Sequence, residues 1–248
     1  MRHWELSDIG KLRKENQDSF QVFEYKAAEE LPIITVAIVC DGMGGAKGGA
    51  VASKLTIESI TEQLKAKKPN MSEIRDVLRE AIGLANRSVY ERARSDSECS
   101  GMGTTLVAAV ADGERAIVAN VGDSRCYLIC ENSIEQLTKD HSLVESLIES
   151  GEITRAEAKN HPKRNIITRA IGVYETVECD FYEVALEESS GLLLCSDGLS
   201  GMMEDSEMLF EISQTEQTET AVSRMVHIAL DRGAPDNITA VLLTTRLY

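Results

Sequence analysis

Four aspartates share one kind of setting in this sequence. Asp41 and Asp197 each end an apolar run and precede a glycine, in Asp41-Gly42-Met43-Gly44-Gly45 and Ser196-Asp197-Gly198, while Asp18 and Asp236 each stand where a strand would begin. In an antiparallel sheet the end of one strand lies beside the start of its neighbour, so all four can gather along one rim. Gathered carboxylates need a counter-charge, because like charges ~4 Å apart cost about 4 kcal/mol at an effective dielectric near 20. A divalent cation supplies it. With oxygen ligands and no matching histidine or cysteine set, the choice falls on Mg2+ or Mn2+ rather than zinc. Two such ions ~3.5 to 4 Å apart can hold a shared water as hydroxide for in-line attack on phosphorus. Arg13 is then the candidate for a bidentate grip on phosphoryl oxygens. Taken singly, each aspartate is an ordinary turn or cap residue; the set carries the argument.

The elements that must position these residues begin with Ile33 to Cys40, eight apolar or β-branched residues without alternation. That pattern suits a strand buried on both faces, and it delivers Asp41 at its end. The glycines that follow allow a sharp bend and a close approach. Neither of the phosphate-cradling spacings, G-x-x-x-x-G-K-[ST] or G-x-G-x-x-G, fits residues 42–49, and Asp41 would repel the anion. After Gly49, Ala50, Ser53, Ile57, Ile60 and Leu64 fall on one helical stripe. Pro69 ends that region, and a second helix is expected from about Ser72 to Arg94.

Further strands are expected over 2–9, 17–24, 104–111, 115–121, 124–130, 134–138, 177–186, 192–195 and 238–244, with late helices over 205–213 and 217–231. Turns at Gly113 and Gly122-Asp123 give hairpin spacing, hence an antiparallel sheet. Asp123 and Arg125, at a turn and a strand start, read as an internal pair rather than as chemistry. Residues 142 to 171 are polar and broken, with partial helix expected and Gly151 and Pro162 as punctuation, which makes them either a functional lid or a poorly ordered segment.

The chain has 248 residues, of which 43% are hydrophobic, enough for one large domain with a sizeable core. Its 41 acidic against 26 basic residues give a formal charge of −15, which argues against nucleic acid or an anionic membrane as the main partner. A phosphate-bearing substrate must therefore be attracted locally. Six cysteines without a C-x-x-C pair read as reduced thiols. The N-terminus lacks a signal-peptide core and no apolar run reaches the ~18 residues of a membrane span, so the expectation is a cytoplasmic protein.

Eight short motifs then occur in one order: Arg13-x-x-Asn16-Gln17-Asp18, Asp41-Gly42-Met43-Gly44-Gly45, Ser100-Gly101-Met102-Gly103-Thr104-Thr105, Val121-Gly122-Asp123-Ser124-Arg125, Asp140-His141-Ser142, Asn165-x-x-Thr168-Arg169-x-x-Gly172, Ser196-Asp197-Gly198-Leu199 and Asp236-Asn237-Ile238-Thr239. In this the chain resembles the metal-dependent protein phosphatases of type 2C, in their short bacterial form. The resemblance implies an α+β fold, a four-layer α/β/β/α sandwich of two antiparallel sheets flanked by helices, over residues 1–248 as a single catalytic domain. It implies that Asp41 bridges two metals, that Gly42 lends a carbonyl to one, that Asp197 and Asp236 bind the other, and that Asp18 acts mainly through metal-bound water. It also implies a third, weaker metal between Asp197 and Asp140, and a flap over about 142–171.

The activity implied is hydrolysis of phosphoserine and phosphothreonine in proteins with Mn2+ or Mg2+, by direct attack of water, in a monomer. Its partners would be targets of Ser/Thr kinases and the kinase itself. The rival reading is a phosphatase-fold module that binds phosphoproteins without turning them over. The family's proposed proton-donor histidine is here Met43, and the histidine many bacterial relatives carry after the glycine pair is here Ala46. Metal-bound water or another side chain must then protonate the leaving oxygen; His141 and His161 are candidates, though a lone histidine is more often structural, and His3 and His227 read as structural. The flap cations Arg155, Lys159, Lys163, Arg164 and Arg169 either meet acidic substrates or form a solvated face.

Overall fold

The computed structural model describes residues 1–215 and 217–245. Among them the strands form two five-stranded antiparallel sheets. One runs β1 (Arg2–Asp8), β12 (Ile238–Thr244), β11 (Gly191–Cys195), β8 (Arg125–Cys130), β9 (Ser133–Gln136); the other runs β10 (Asp180–Ala185), β7 (Arg115–Val121), β6 (Leu106–Ala111), β3 (Ile34–Cys40), β2 (Ser19–Tyr25).

The unalternating run of β3 is explained by its two neighbours. Ala37 and Val39 face the other sheet, meeting Val107, Leu192, Leu194 and Val241. Val36, Ile38 and Cys40 face the opposite way, where α1 (Gly45–Lys67) and α2 (Ile74–Ser95) cover the sheet with Ile60, Leu64, Leu78 and Ile82. The first sheet is covered in the same manner by α6 (Asp205–Ser213) and α7 (Thr218–Asp231) through Met208, Val222, Met225 and Val226. Each such aliphatic side chain contributes roughly 1.5–3 kcal/mol of burial. The result is the expected four-layer sandwich.

Several boundaries differ from expectation for physical reasons. Helix α1 begins at Gly45, not after Gly49, so the glycine run forms its first turn, and Gly48 lets that turn approach Met102. The expected strand 104–111 is broken at Thr105, whose N–H donates to the Asp41 carbonyl (2.8 Å) while its Oγ1 accepts from the Asp41 N–H (2.9 Å). The piece before the break, β5 (Gly103–Thr104), pairs instead with β4 (Gly42–Met43). A short α5 (Asp197–Ser200) follows β11 directly.

Residues 142–171 fold into α3 (Leu143–Glu149) and α4 (Arg155–Lys159), the latter opened by a Thr154–Glu157 capping box. The base of this segment is zipped by Leu143 N–H to Ile166 O and Thr168 N–H to His141 O, both 2.8 Å. All six cysteines are free thiols. Among the described residues no helix is long and apolar enough to cross a membrane.

Candidate active site

Strand register brings the aspartates together. Ser19 pairs with Cys40, which sets Asp18 beside Asp41; Cys195 pairs with Ala240, which sets Asp197 near Asp236. The two pairs belong to different sheets, and stacking the sheets brings all four to one end of the sandwich rather than to the rim of a single sheet. A cavity of about 790 Å³ opens there, lined by Arg13, Asp41, Gly42, Asp123, Asp197 and Asp236 among others. Asp18 lies beneath its floor, 7% exposed.

The charges feel one another. Burial, then Asp18, Asp197, Asp123 and Asp236, hold the Asp41 carboxyl well above the usual carboxylate range. Burial and then Asp236 raise Asp197. Asp18 is pushed up to about 6, chiefly by burial and against the pull of two hydroxyl donors. Those donors, Ser196 and Thr239, both reach Asp18 Oδ2 at 2.7 Å. Directions follow along the chain of contacts: Asn16 Nδ2 donates to Ser7 Oγ (2.9 Å), Ser7 Oγ to Thr239 Oγ1 (2.8 Å), and Asn16 Oδ1 accepts the Asp18 N–H (3.1 Å). The Ser196 and Thr239 hydroxyls are thereby both aimed at one oxygen of Asp18.

The other oxygen, Asp18 Oδ1, has no donor, and neither has the buried Asp197 Oδ1. A buried carboxylate oxygen without a partner costs on the order of 1–3 kcal/mol or more. Two such oxygens at one cavity, in a set made of carboxylates and a backbone carbonyl, fit a hard divalent cation. Among the described residues no three of these side chains already stand in closed ligating geometry. At the cavity edge Arg13 Nη2 holds Asp236 Oδ2 at 2.6 Å.

Two glycines admit the backbone to this place. A Cβ on Gly42 would collide with the carbonyl oxygens of Gly49 and Gln17, and one on Gly198 with that of Asn237. Asn237 in turn accepts the Gln17 N–H (2.9 Å) and donates to the carbonyls of Ile9 (2.9 Å) and Glu15 (3.1 Å), tying the loop that carries Arg13 to the start of β12.

Asp140 and Asp123 exchange the positions expected of them. The Asp140 carboxylate is clasped by Arg125, with Nε at 2.9 and 3.1 Å and Nη2 at 2.7 Å, and by Gln136 Nε2 at 2.9 Å, and it stands outside the cavity lining. Asp123 lines the cavity, and burial with the nearby Asp197 and Asp140 pushes it up to about 8. The internal pair is therefore Arg125 with Asp140. His141 is structural: its Nδ1 accepts the Gly122 N–H (3.0 Å), so the ring proton sits on Nε2, where Asp180 Oδ2 accepts it (3.1 Å). His161 Nδ1 accepts the Lys163 N–H (3.2 Å) within the flap.

A family model for protein phosphatase 2C matches residues 13–242. The chain belongs to the protein phosphatase 2C family. It is similar to the serine/threonine phosphatase stp of Listeria welshimeri, 39% identical over 97% of this chain and 94% of that protein. Among solved structures, the serine/threonine phosphatase of S. agalactiae superposes with a TM-score of 0.90 at 37% identity, covering 97% of this chain and 98% of that one. The catalytic domain of the phosphatase PstP, solved with two manganese ions, gives 0.83 at 32% identity, covering 97% and 96%.

In this type 2C phosphatase the side chain that sequence reasoning overlooked is Asp123. Its signal was present, an acidic residue beside a glycine at the end of an apolar strand, as with Asp41 and Asp197. Hairpin spacing concealed it, since a turn aspartate needs no further explanation.

Proposed function

We propose that this protein hydrolyses phosphoserine and phosphothreonine in phosphoproteins with the help of divalent metal, and that residues 1–248 act as one catalytic domain whose flap is the segment 142–171. The observation that carries this is the convergence of Asp18, Asp41, Asp123, Asp197 and Asp236 at one cavity with two buried carboxylate oxygens unpartnered. Asp41, the Gly42 carbonyl, Asp197 and Asp236 would hold two ions, Mn2+ or Mg2+; the two manganese ions of the related PstP domain support that count. Such ions, when bound, supply electrophilic pull on phosphoryl oxygens and make water a nucleophile at neutral pH.

The protein's own residues do the rest. Asp18 stays below the floor with one oxygen fixed by Ser196 and Thr239, so its free oxygen keeps a constant aim into the site. Arg13 now engages Asp236 through one donor, and its half-exposed guanidinium at the cavity edge keeps further donors that would grip phosphoryl oxygens. A third ion would draw on Asp123 and Asp197, because Asp140 is taken up by Arg125. Substrates would include a Ser/Thr kinase, and the enzyme would act as a cytoplasmic monomer.

The test is hydrolysis of p-nitrophenyl phosphate and of a phosphothreonine peptide with Mn2+, Mg2+ or EDTA, for the wild type and Asp41→Asn. Turnover that requires metal and falls by ~10³-fold or more in the variant is expected, since the ligand supports several kcal/mol of transition-state stabilisation. Binding of the peptide without turnover by the metal-loaded wild type would defeat the proposal.

A further inference from the structure

We infer that a second cavity beside the active site is a substrate subsite for an anionic side chain flanking the phosphorylated residue; this rests on the phosphatase reading above. The cavity, about 380 Å³, is lined by Tyr90, Ala93, Arg94, Met102, Gly172 and Val173, with Ser100 and Gly101 at its border. It shares a wall with the catalytic cavity. A Cβ on Gly103 in β5 would meet both Met43 Cε, which belongs to the catalytic side, and Val173 Cγ2, which belongs to the second side. One strand's thickness separates the two spaces. An extended peptide advances ~3.3 Å per residue, so a side chain two or three residues from the phosphoresidue reaches it.

The outer wall is built into the fold. Asn86 on α2, 1% exposed, accepts the Gly172 N–H (2.7 Å) and donates to the carbonyls of Tyr174 (3.0 Å) and Glu175 (3.1 Å). A buried amide thus makes three of its four hydrogen bonds to one surface segment. Gly172 itself has φ +83°, and Val89 occupies the place where its Cβ would lie. Ile171, just before, exchanges both backbone hydrogen bonds with Thr104 of β5 (2.8 and 3.1 Å). The wall is therefore tied both to α2 and to the strand that borders the metal site.

Arg94 decides what the cavity would hold. It lies over the Tyr90 ring, 5.5 Å from the centroid, and donates to the Tyr90 hydroxyl at 3.3 Å. Among the described residues it has no carboxylate partner, whereas Arg92, two residues earlier, is paired with Asp96 at 2.8 Å. A guanidinium has five donors, and this arrangement engages one. Tyr90, Ala93, Met102 and Val173 line the same cavity, so the exposed guanidinium stands at the edge of a partly apolar recess. On a chain of net charge −15, an arginine left without a carboxylate beside a preformed cavity is matched by an oxyanion: a glutamate, an aspartate or a second phosphate on the same substrate.

The experiment scans one glutamate from four residues before to four after the phosphothreonine of a glutamine–alanine peptide. A parallel series carries a non-hydrolysable phosphonate in place of the glutamate. Substrates are compared for Mn2+-loaded wild type, Arg94→Gln and Arg94→Lys, with p-nitrophenyl phosphate, which has no flanking residue, as the reference. One position or an adjacent pair is expected to raise wild-type kcat/KM about 5- to 10-fold through KM, the size of a partly exposed charge-assisted bond. That gain disappears in Arg94→Gln and survives in part in Arg94→Lys, which keeps the charge and loses the planar fork.

A larger gain for the phosphonate would assign the subsite to multiply phosphorylated segments, and a larger gain for glutamate to acidic ones. A flat scan in the wild type, a gain that persists in Arg94→Gln, or an equal loss on p-nitrophenyl phosphate would overturn the subsite. Absence of p-nitrophenyl phosphate turnover by the wild type would overturn the phosphatase reading and the subsite with it.

Discussion

The catalytic cavity has two walls of different construction. On the sheet side, Asp18, Asp41 and Asp197 are held by reciprocal backbone bonds, by buried hydroxyls and by glycines that nothing larger can replace. On the flap side, the two short helices are held largely by exposed ion pairs: Arg155 with Glu145 (3.0 Å), Lys159 with Glu204 (2.5 Å) and Lys139 with Glu149. The first wall cannot relax without moving both sheets, while the second can shift at small cost, since exposed pairs contribute ~0–1 kcal/mol each. Geometry that must be held to a fraction of an ångström therefore sits on the rigid wall.

Substitutions can break or sharpen this contrast. The largest effect on stability is expected from Gly42→Ala, where the new methyl group meets two backbone carbonyls; a loss of about 3 kcal/mol should appear in the urea midpoint. Gly151→Ala in the flap has open space around it and only a left-handed φ of +74° to pay for, so ~1 kcal/mol is expected in the same measurement. Equal losses would mean that the two walls are equally stiff.

Thr239→Val removes one of the two hydroxyls on Asp18 and frees its carboxylate to turn. Titration calorimetry should show Mn2+ binding weakened by ~10- to 100-fold, the usual cost of losing such a supporting contact. Unchanged affinity would show that burial alone orients Asp18.

Acidity gives a smaller and continuous effect. Asp18, at about 6, and Asp123, at about 8, hold protons in the folded protein that unfolded carboxylates release near 4. The stabilisation they bring is complete below the unfolded value and is lost as pH rises through these folded values. In EDTA the melting temperature should therefore fall between pH 5 and pH 8.5, on the order of 5 °C, and excess Mn2+ should close the gap more fully at the higher pH. A flat profile in EDTA would contradict the charge crowding. Last, Arg155→Gln should shift melting by no more than about 2 °C.

Much of the rigid wall was readable in the sequence because its rules are local. The unbroken apolar run of β3, the glycines after Asp41 and Asp197, and the hairpin spacing from Thr104 to Cys130 each reflect one element's own constraints. What escaped depends on how elements stack. Thr105 interrupts a strand whose apolar pattern continues through it, because Asp41 on a neighbouring strand claims its hydroxyl and amide. Asp123 sits at a hairpin turn like many aspartates, and only the second sheet turns that position into a cavity wall. Asp140 is expected at the metal site, and the competing claim comes from Arg125, fifteen residues earlier at the start of β8, which the pairing of β8 with β9 brings against it. The segment 142–171 reads as partly helical, but the bounds of α3 and α4 are not legible, since both are too short to show a periodic stripe.

The hydroxyl cage around Asp18 also orders events in time. Asp18 is 178 residues from Ser196 and 221 from Thr239, so its carboxylate finds its donors only after the longest loops of the chain have closed and the two sheets have docked. A partly folded chain with one finished sheet holds half of the ligands, and Asp18 is still apart from the hydroxyls that fix it. Metal affinity during refolding should consequently appear in a single late phase, making the ion a clock for the last step of assembly rather than a nucleus for the first.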